Sequence, residues 1–192
     1  MTKEYHQSPD SQPLPSSQVV ASERGEAFKL RYPALLSQLE ELLSSDFSSI
    51  PSNLTIGQLK ESGESISIQV ELDKKVFLLK RAKANSHKSF LQEKSQLDLL
   101  QQSLQPSFNK AGVRAQTYYF FARQWCFVDF EVGKPLSALS PELHTFLDTV
   151  ESYLENTENP VLIGLMIDLM PSNFIYRNDG QYVWVDPFYP AD

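Results

Sequence analysis

One stretch constrains this chain more than any other: Val161–Phe188, reading VLIGLMIDLMPSNFIYRNDGQYVWVDPF. Two short apolar runs, Phe174-Ile175-Tyr176 and Tyr182-Val183-Trp184-Val185, flank the segment Arg177-Asn178-Asp179-Gly180. Asn, Asp and Gly tolerate positive φ, so this pattern predicts a β-hairpin. A hairpin folds the chain back on itself. It returns Asp186, at the end of the second strand, to the side of Asn173, at the start of the first. Asp168 lies five residues before Asn173, in a short polar loop closed by Pro171-Ser172.

These three side chains suit one kind of chemistry. An Asp and an Asn held side by side can share Mg²⁺, a hard cation that prefers oxygen ligands and keeps positions for water and phosphate oxygens. A carboxylate at Asp168 could accept a proton from an attacking hydroxyl. The plainer account is a surface hairpin with ordinary polar residues flanking its turn.

The whole chain sets outer bounds. At 192 residues it is long enough for one domain with a real core. A net charge of −7 argues against a general nucleic-acid or membrane-surface binder, which needs clustered Lys and Arg. A single cysteine, Cys126, excludes an intramolecular disulfide, and His6, His87 and His144 are scattered. No apolar run approaches the length of a membrane span, and Met1–Arg24 has no apolar signal-peptide core. The simplest compartment is the cytoplasm. Residues 1–24, rich in Ser, Gln and Pro, are expected to be a disordered tail. A leader for a specialised export machine is left open by that composition.

Residues 25–188 are expected to form a single domain. Pro33–Ser45 reads as an amphipathic helix with Leu35, Leu36, Leu39, Leu42 and Leu43 in one stripe. Residues 53–81 read as three strands. Ile66, Ile68, Val70 and Leu72 alternate strictly, the period of a half-buried strand. In the third strand Val76, Leu78 and Lys80 share one face; Phe77, Leu79 and Arg81 share the other. Ser86–Leu104 reads as a helix with Phe90, Leu97, Leu100 and Leu104 on one face and Glu93 in line with them. A carboxylate on an apolar face needs a partner unless it reaches water at the edge of the stripe. Pro106–Gly112 reads as a loop, then Val113–Phe121 and Trp125–Phe130 as two strands. Ser140, with Pro141 behind it, starts a last helix with a long apolar stripe from Leu143 to Leu154.

These residues resemble the catalytic core of the protein-kinase-like superfamily, which includes aminoglycoside and lipopolysaccharide-core kinases. That family carries H-R-D-x-x-x-x-N or H-G-D-x-x-x-x-N, then a hairpin, then D-F-G. The resemblance implies an α+β minimal kinase-like fold. It would have a five-stranded antiparallel N-lobe, about residues 47–130, and a mainly helical C-lobe, about 131–188, truncated after the D-F-G position. It implies ATP and Mg²⁺ as cofactors. Asp168 takes the catalytic position, and Asn173 and Asp186 the metal positions. Lys80 takes the strand-three Lys position, paired with Glu93. Leu78 would face the adenine, and backbone groups of Phe130, Glu131 and Val132 would form the hinge that binds its edge.

The chain departs from the family in places. Met166-Ile167 stand in place of His-Arg, Pro187-Phe188 in place of Phe-Gly, and only Gly57 and Gly63 stand where a glycine-rich loop would be. The resemblance therefore implies an ATP- and Mg²⁺-dependent phosphotransferase acting on a hydroxyl of a protein, a small molecule or a sugar. The alternative is a catalytically inactive pseudokinase that binds a protein partner, with or without nucleotide.

Overall fold

Antiparallel pairing of three consecutive strands, β2 (Thr55–Glu61), β3 (Ser65–Leu72) and β4 (Lys75–Ala82), forms half of the larger sheet in the computed structural model. The structure describes residues 18–189. The β3–β4 turn is made by Asp73 and Lys74, both at positive φ (49° and 67°), the geometry that matches strand twist in a two-residue hairpin. Val70, Phe77 and Leu79 are fully buried on one face of this sheet. There they meet Leu35, Leu39, Leu42 and Leu43 of helix α2 (Leu35–Ser44). Among the described residues no side chain caps the start of α2, and a ten-residue helix is marginal in isolation. Burying each of those leucines contributes about 1.5–3 kcal/mol, so packing holds the helix.

The sheet has six strands, not the expected five. β6 (Tyr118–Phe121) and β7 (Trp125–Asp129) continue it past β4, and β1 (Val20–Ala21) adds an edge strand on β6. Residues 18–24 thus depart from the expected tail. Val20 and Ala21 pair with Phe121 and Phe120, and Ser22 caps helix α1 (Glu23–Arg31) by accepting from the Gly25 N–H at 3.1 Å. The rest of that tail, residues 1–17, lies outside the described residues.

Two further expectations are corrected. Helix α3 (Phe90–Ser103) is followed directly by α4 (Gln105–Ala111), where a loop was expected. Pro106 is tolerated because it sits in the first turn of α4, and Gly112 ends the helix in the left-handed region at φ 63°. The segment 113–121 is two strands. β5 (Val113–Ala115) leaves the large sheet and pairs in parallel with the hairpin strand β10 (Tyr182–Trp184). The change of sheet occurs at Gln116, whose N–H donates to the Trp184 carbonyl at 3.2 Å while its Nε2 donates to the Asp129 carbonyl at 2.9 Å.

The second sheet runs β5-β10-β9-β8, with β8 at Lys134–Pro135 and β9 at Phe174–Tyr176. The second sheet packs on α4 and α5 (Pro141–Asn156), and α5 is the longest element of residues 131–188. Its core is aromatic. Trp184 stacks on Phe174 with ring centroids 5.5 Å apart and planes 9° apart, and Phe146 and Phe108 pack on the same indole. Ser140 caps α5 by accepting from the Leu143 N–H at 3.3 Å. The two sheets meet near Asp129–Gly133, and a cleft opens between them.

Candidate functional site

The cleft has a volume of about 390 Å³. Its roof is the β2–β3 ribbon, which presents Gln58, Ser67 and Gln69. Leu78 and Lys80 of β4 form the back wall; Ile175, Val185 and Asp186 of the hairpin form the floor. β4 presents these two residues because Phe77 and Leu79 are committed to the opposite, α2 face. The ribbon has no glycine-rich turn: Gly57 lies within β2, where the β2–β3 register shifts, and Gly63 sits in the turn.

A charge cluster lies at the inner end of the cleft. Lys80 Nζ is 3.5 Å from Asp186 Oδ1. Lys88 Nζ is 2.9 Å from that same oxygen and 3.2 Å from Glu93 Oε2. Tyr118 donates its hydroxyl to Glu93 Oε1 at 2.6 Å. The expected Lys80–Glu93 pair is thus replaced: Glu93 is buried, but its ammonium partner is Lys88. The reason is local. Lys88 immediately precedes Ser89, which caps α3, and Glu93 lies in the first turn of that helix. Lys88 therefore reaches Glu93 before Lys80 can.

Electrostatics follow the geometry. Burial opposes ionisation of Asp186, but the ammonium groups of Lys80 and Lys88 outweigh it and lower its pKa to about 2. Its side chain keeps 43% of its surface, so the carboxylate still faces the cleft. For Lys88, burial works against the charge, and Glu93 and Asp186 outweigh it, raising the pKa. Burial raises the Tyr118 phenol well above its ordinary value, with Glu93 adding to the rise.

The loop before the hairpin brings Asp168 beside the same strand end. Its N–H donates to the Pro187 carbonyl at 2.9 Å, one residue past Asp186. Its Oδ1 accepts from the Met170 N–H at 3.0 Å, and its charge raises the pKa of Tyr189. Ile167 is buried and bridges to Phe188, while Met166 is 62% exposed.

Asn173 closes a single 3-10 turn, Pro171–Asn173, and its carbonyl accepts from the Val185 N–H at 2.9 Å. This places it next to the residue that precedes Asp186. Its Nδ2 is buried without a partner among the described residues. Mg²⁺ takes oxygen ligands, so the donors these two residues could offer it are the Asp186 carboxylate, whose Oδ1 is held by Lys80 and Lys88, and the Asn173 side-chain oxygen; the unpartnered Nδ2 is a hydrogen-bond donor and cannot ligate it. Among the described residues no three His, Cys, Asp or Glu side chains gather as a metal group, so these two residues are what the chain offers.

The segment expected to act as a hinge divides. Phe130 and Glu131 line the cleft, whereas Val132 is 68% exposed and faces away from it. The Glu131 side chain is sequestered: its Oε2 accepts from Arg114 and Arg177, each at 2.8 Å. Gly133 lets the backbone run against β9, since a Cβ there would stand 2.4 Å from the Tyr176 carbonyl oxygen. Lys88 and Gln116 were missed by sequence reasoning. Lys88 had a faint signal, as a cation just before a helix cap with a carboxylate in the first turn. Gln116 had none.

A larger hollow, about 900 Å³, is bordered by Asp129–Val132 and lined by Lys74, Lys75, Lys94, Arg114 and Arg177. Most of these cations are already spent: Lys75 pairs with Asp129, Lys94 with Asp98, and both arginines with Glu131. The cleft is the better candidate, because Lys80 and Asp186 line it, with Lys88 behind Asp186. Among the described residues no helix is long and apolar enough to cross a membrane.

No family model matches the sequence, and no curated protein does. Among solved structures the chain is similar to an ethanolamine kinase from Plasmodium vivax, at 11% identity and a TM-score of 0.42. That match covers 86% of this chain and 68% of the kinase.

Proposed function

We propose that the chain has a two-lobed, kinase-like architecture and transfers a phosphoryl group from ATP to a hydroxyl acceptor. The observation that carries this reading is convergence. A strand lysine, Lys80, and the hairpin carboxylate, Asp186, meet at 3.5 Å in the cleft between two sheets, with Asp168 and Asn173 tied by backbone hydrogen bonds to the same strand end. Mg²⁺ bound through Asp186 and Asn173 would supply charge neutralisation for the transferred phosphoryl group. Lys80 holds the α- and β-phosphates, and Leu78 with the Phe130–Glu131 backbone receives the base. Glu93 fixes Lys88 and so the rear of the cluster, rather than orienting Lys80. Asp168 orients the acceptor hydroxyl and takes its proton. Most of the catalysis would be positioning and charge stabilisation.

The test is γ-phosphate release, or transfer from labelled ATP, by the parent and by Asp168→Asn. Loss of a positioned general base lowers turnover by about 100-fold or more, with nucleotide binding retained. Equal turnover in both proteins would remove Asp168 from the chemistry.

A second reading is favoured by one feature. Asp186 is already held by two lysines and Asp168 Oδ1 by a backbone N–H, so the site is closed on itself. That is compatible with a pseudokinase that binds nucleotide and a protein partner without turnover. Nucleotide binding with no phosphate release under any condition would select it.

A further inference from the structure

Lys88 changes what the cleft asks of a cation. Two ammonium groups converge on Asp186 Oδ1, Lys88 at 2.9 Å and Lys80 at 3.5 Å, and Lys88 also holds Glu93 at 3.2 Å. Lys80, Lys88, Glu93 and Asp186 together carry two positive and two negative charges, so the cluster is neutral. With Lys80 alone it would carry one net negative charge, and an incoming triphosphate would meet repulsion until a divalent cation offset it. The Lys88 side chain is only 11% exposed and is fixed by two carboxylates, so solvent and salt screen its charge weakly. Because Lys88 satisfies Glu93, Lys80 is also left on the cleft wall, where it can turn to phosphate.

We infer that Lys88 supplies the compensating positive charge, so that the cleft binds nucleotide without a divalent cation. The cation then serves transfer rather than occupancy. This rests on the nucleotide reading of the cleft. It also assigns Lys88 a role as a positioning residue that acts through Asp186.

Isothermal titration of the full chain with ATP, once in EDTA and once with excess Mg²⁺, tests it. The expected result is two dissociation constants within about threefold of each other, a small difference on a scale where tenfold is 1.4 kcal/mol. Lys88→Met should weaken the EDTA titration by about tenfold or more while sparing the Mg²⁺ titration, because it leaves the cluster one net negative charge that a divalent cation offsets. Lys88→Arg, which keeps the charge, should restore metal-free binding. Binding by the parent only with Mg²⁺ would overturn the inference and leave the nucleotide reading intact. Unchanged metal-free affinity in Lys88→Met would do the same. No binding in either medium would remove both. If Lys88→Met fails to fold, Lys88→Gln takes its place, and the parent's two titrations still decide whether binding needs a divalent cation.

Discussion

Tyr118 donates its hydroxyl to Glu93 Oε1 at 2.6 Å, joining the start of β6 to the first turn of α3. Both residues are buried, so the bond is made in a low-dielectric setting and without competition from water. It anchors the carboxylate that holds Lys88, and through Lys88 the hairpin carboxylate Asp186. Tyr118→Phe should therefore destabilise the fold by about 1.5–3 kcal/mol, the range for a hydrogen bond to a charged group. Urea unfolding measures this. An unchanged midpoint would mean that Glu93 finds water in place of the phenol.

Trp184 is the centre of the second core. Its ring is fully buried against Phe174, Phe146 and Phe108, while its Nε1 is buried without a hydrogen-bond partner among the described residues. Trp184→Ala should cost about 3–5 kcal/mol through the cavity it leaves. Trp184→Phe should cost clearly less, because it keeps an aromatic ring on Phe174 and removes the unsatisfied N–H. Paired denaturation curves would show the order, and equal losses would contradict it.

Glu131 fastens the connection between the sheets. Its side chain is 1% exposed and receives both Arg114 and Arg177 at 2.8 Å. Glu131→Ala leaves two guanidinium groups facing an emptied pocket. Both guanidinium groups are about a third exposed and Arg177 keeps Asp179, so the expected loss is about 1–3 kcal/mol, the cost of losing buried hydrogen bonds to a charged group. A loss below that of an ordinary surface substitution would show that the arginines relax into solvent.

Acid should loosen the cleft in a defined window. The Asp186 pKa is lowered from 3.8 to about 2 in the folded protein, burial being outweighed by Lys80 and Lys88. A depressed folded-state pKa contributes stability above the unfolded value, and that stability is lost as pH falls through the folded one. The contribution of Asp186 is thus present above about pH 4 and lost towards pH 2. Asp186→Asn should flatten the stability profile across that window. A mutant profile parallel to the parent's would contradict the pairing.

Much of this was legible in the sequence, and the misses have physical causes. The alternation at Ile66, Ile68, Val70 and Leu72 gave β3 its buried face, because period two has few competing explanations. The Asn-Asp-Gly turn gave the hairpin that registers Trp184 opposite Phe174. The helix α4 was missed because Pro106 reads as a breaker, although in a first turn its missing N–H costs nothing. β1 was missed because two residues carry no period; only the edge of β6 makes them a strand. The change of sheet at Gln116 depends on partners 13 and 68 residues away, Asp129 and Trp184, and leaves no local trace. The site divides in the same way. Strand parity put Leu78 and Lys80 on one face and the hairpin returned Asp186, while the pairing of Lys88 with Glu93 is local to the start of α3 and left only a faint trace.

The midpoint of thermal unfolding, with and without millimolar ATP, in the parent and in Lys80→Met, tests the nucleotide cleft most directly. A ligand at about a hundred times its dissociation constant stabilises the folded state by about 2.7 kcal/mol. For a chain of this size that is a rise of about 5–10 °C. The predicted result is such a rise in the parent and its loss in Lys80→Met. A parent midpoint unmoved by ATP, with or without Mg²⁺, would contradict the reading of this cleft as a nucleotide site.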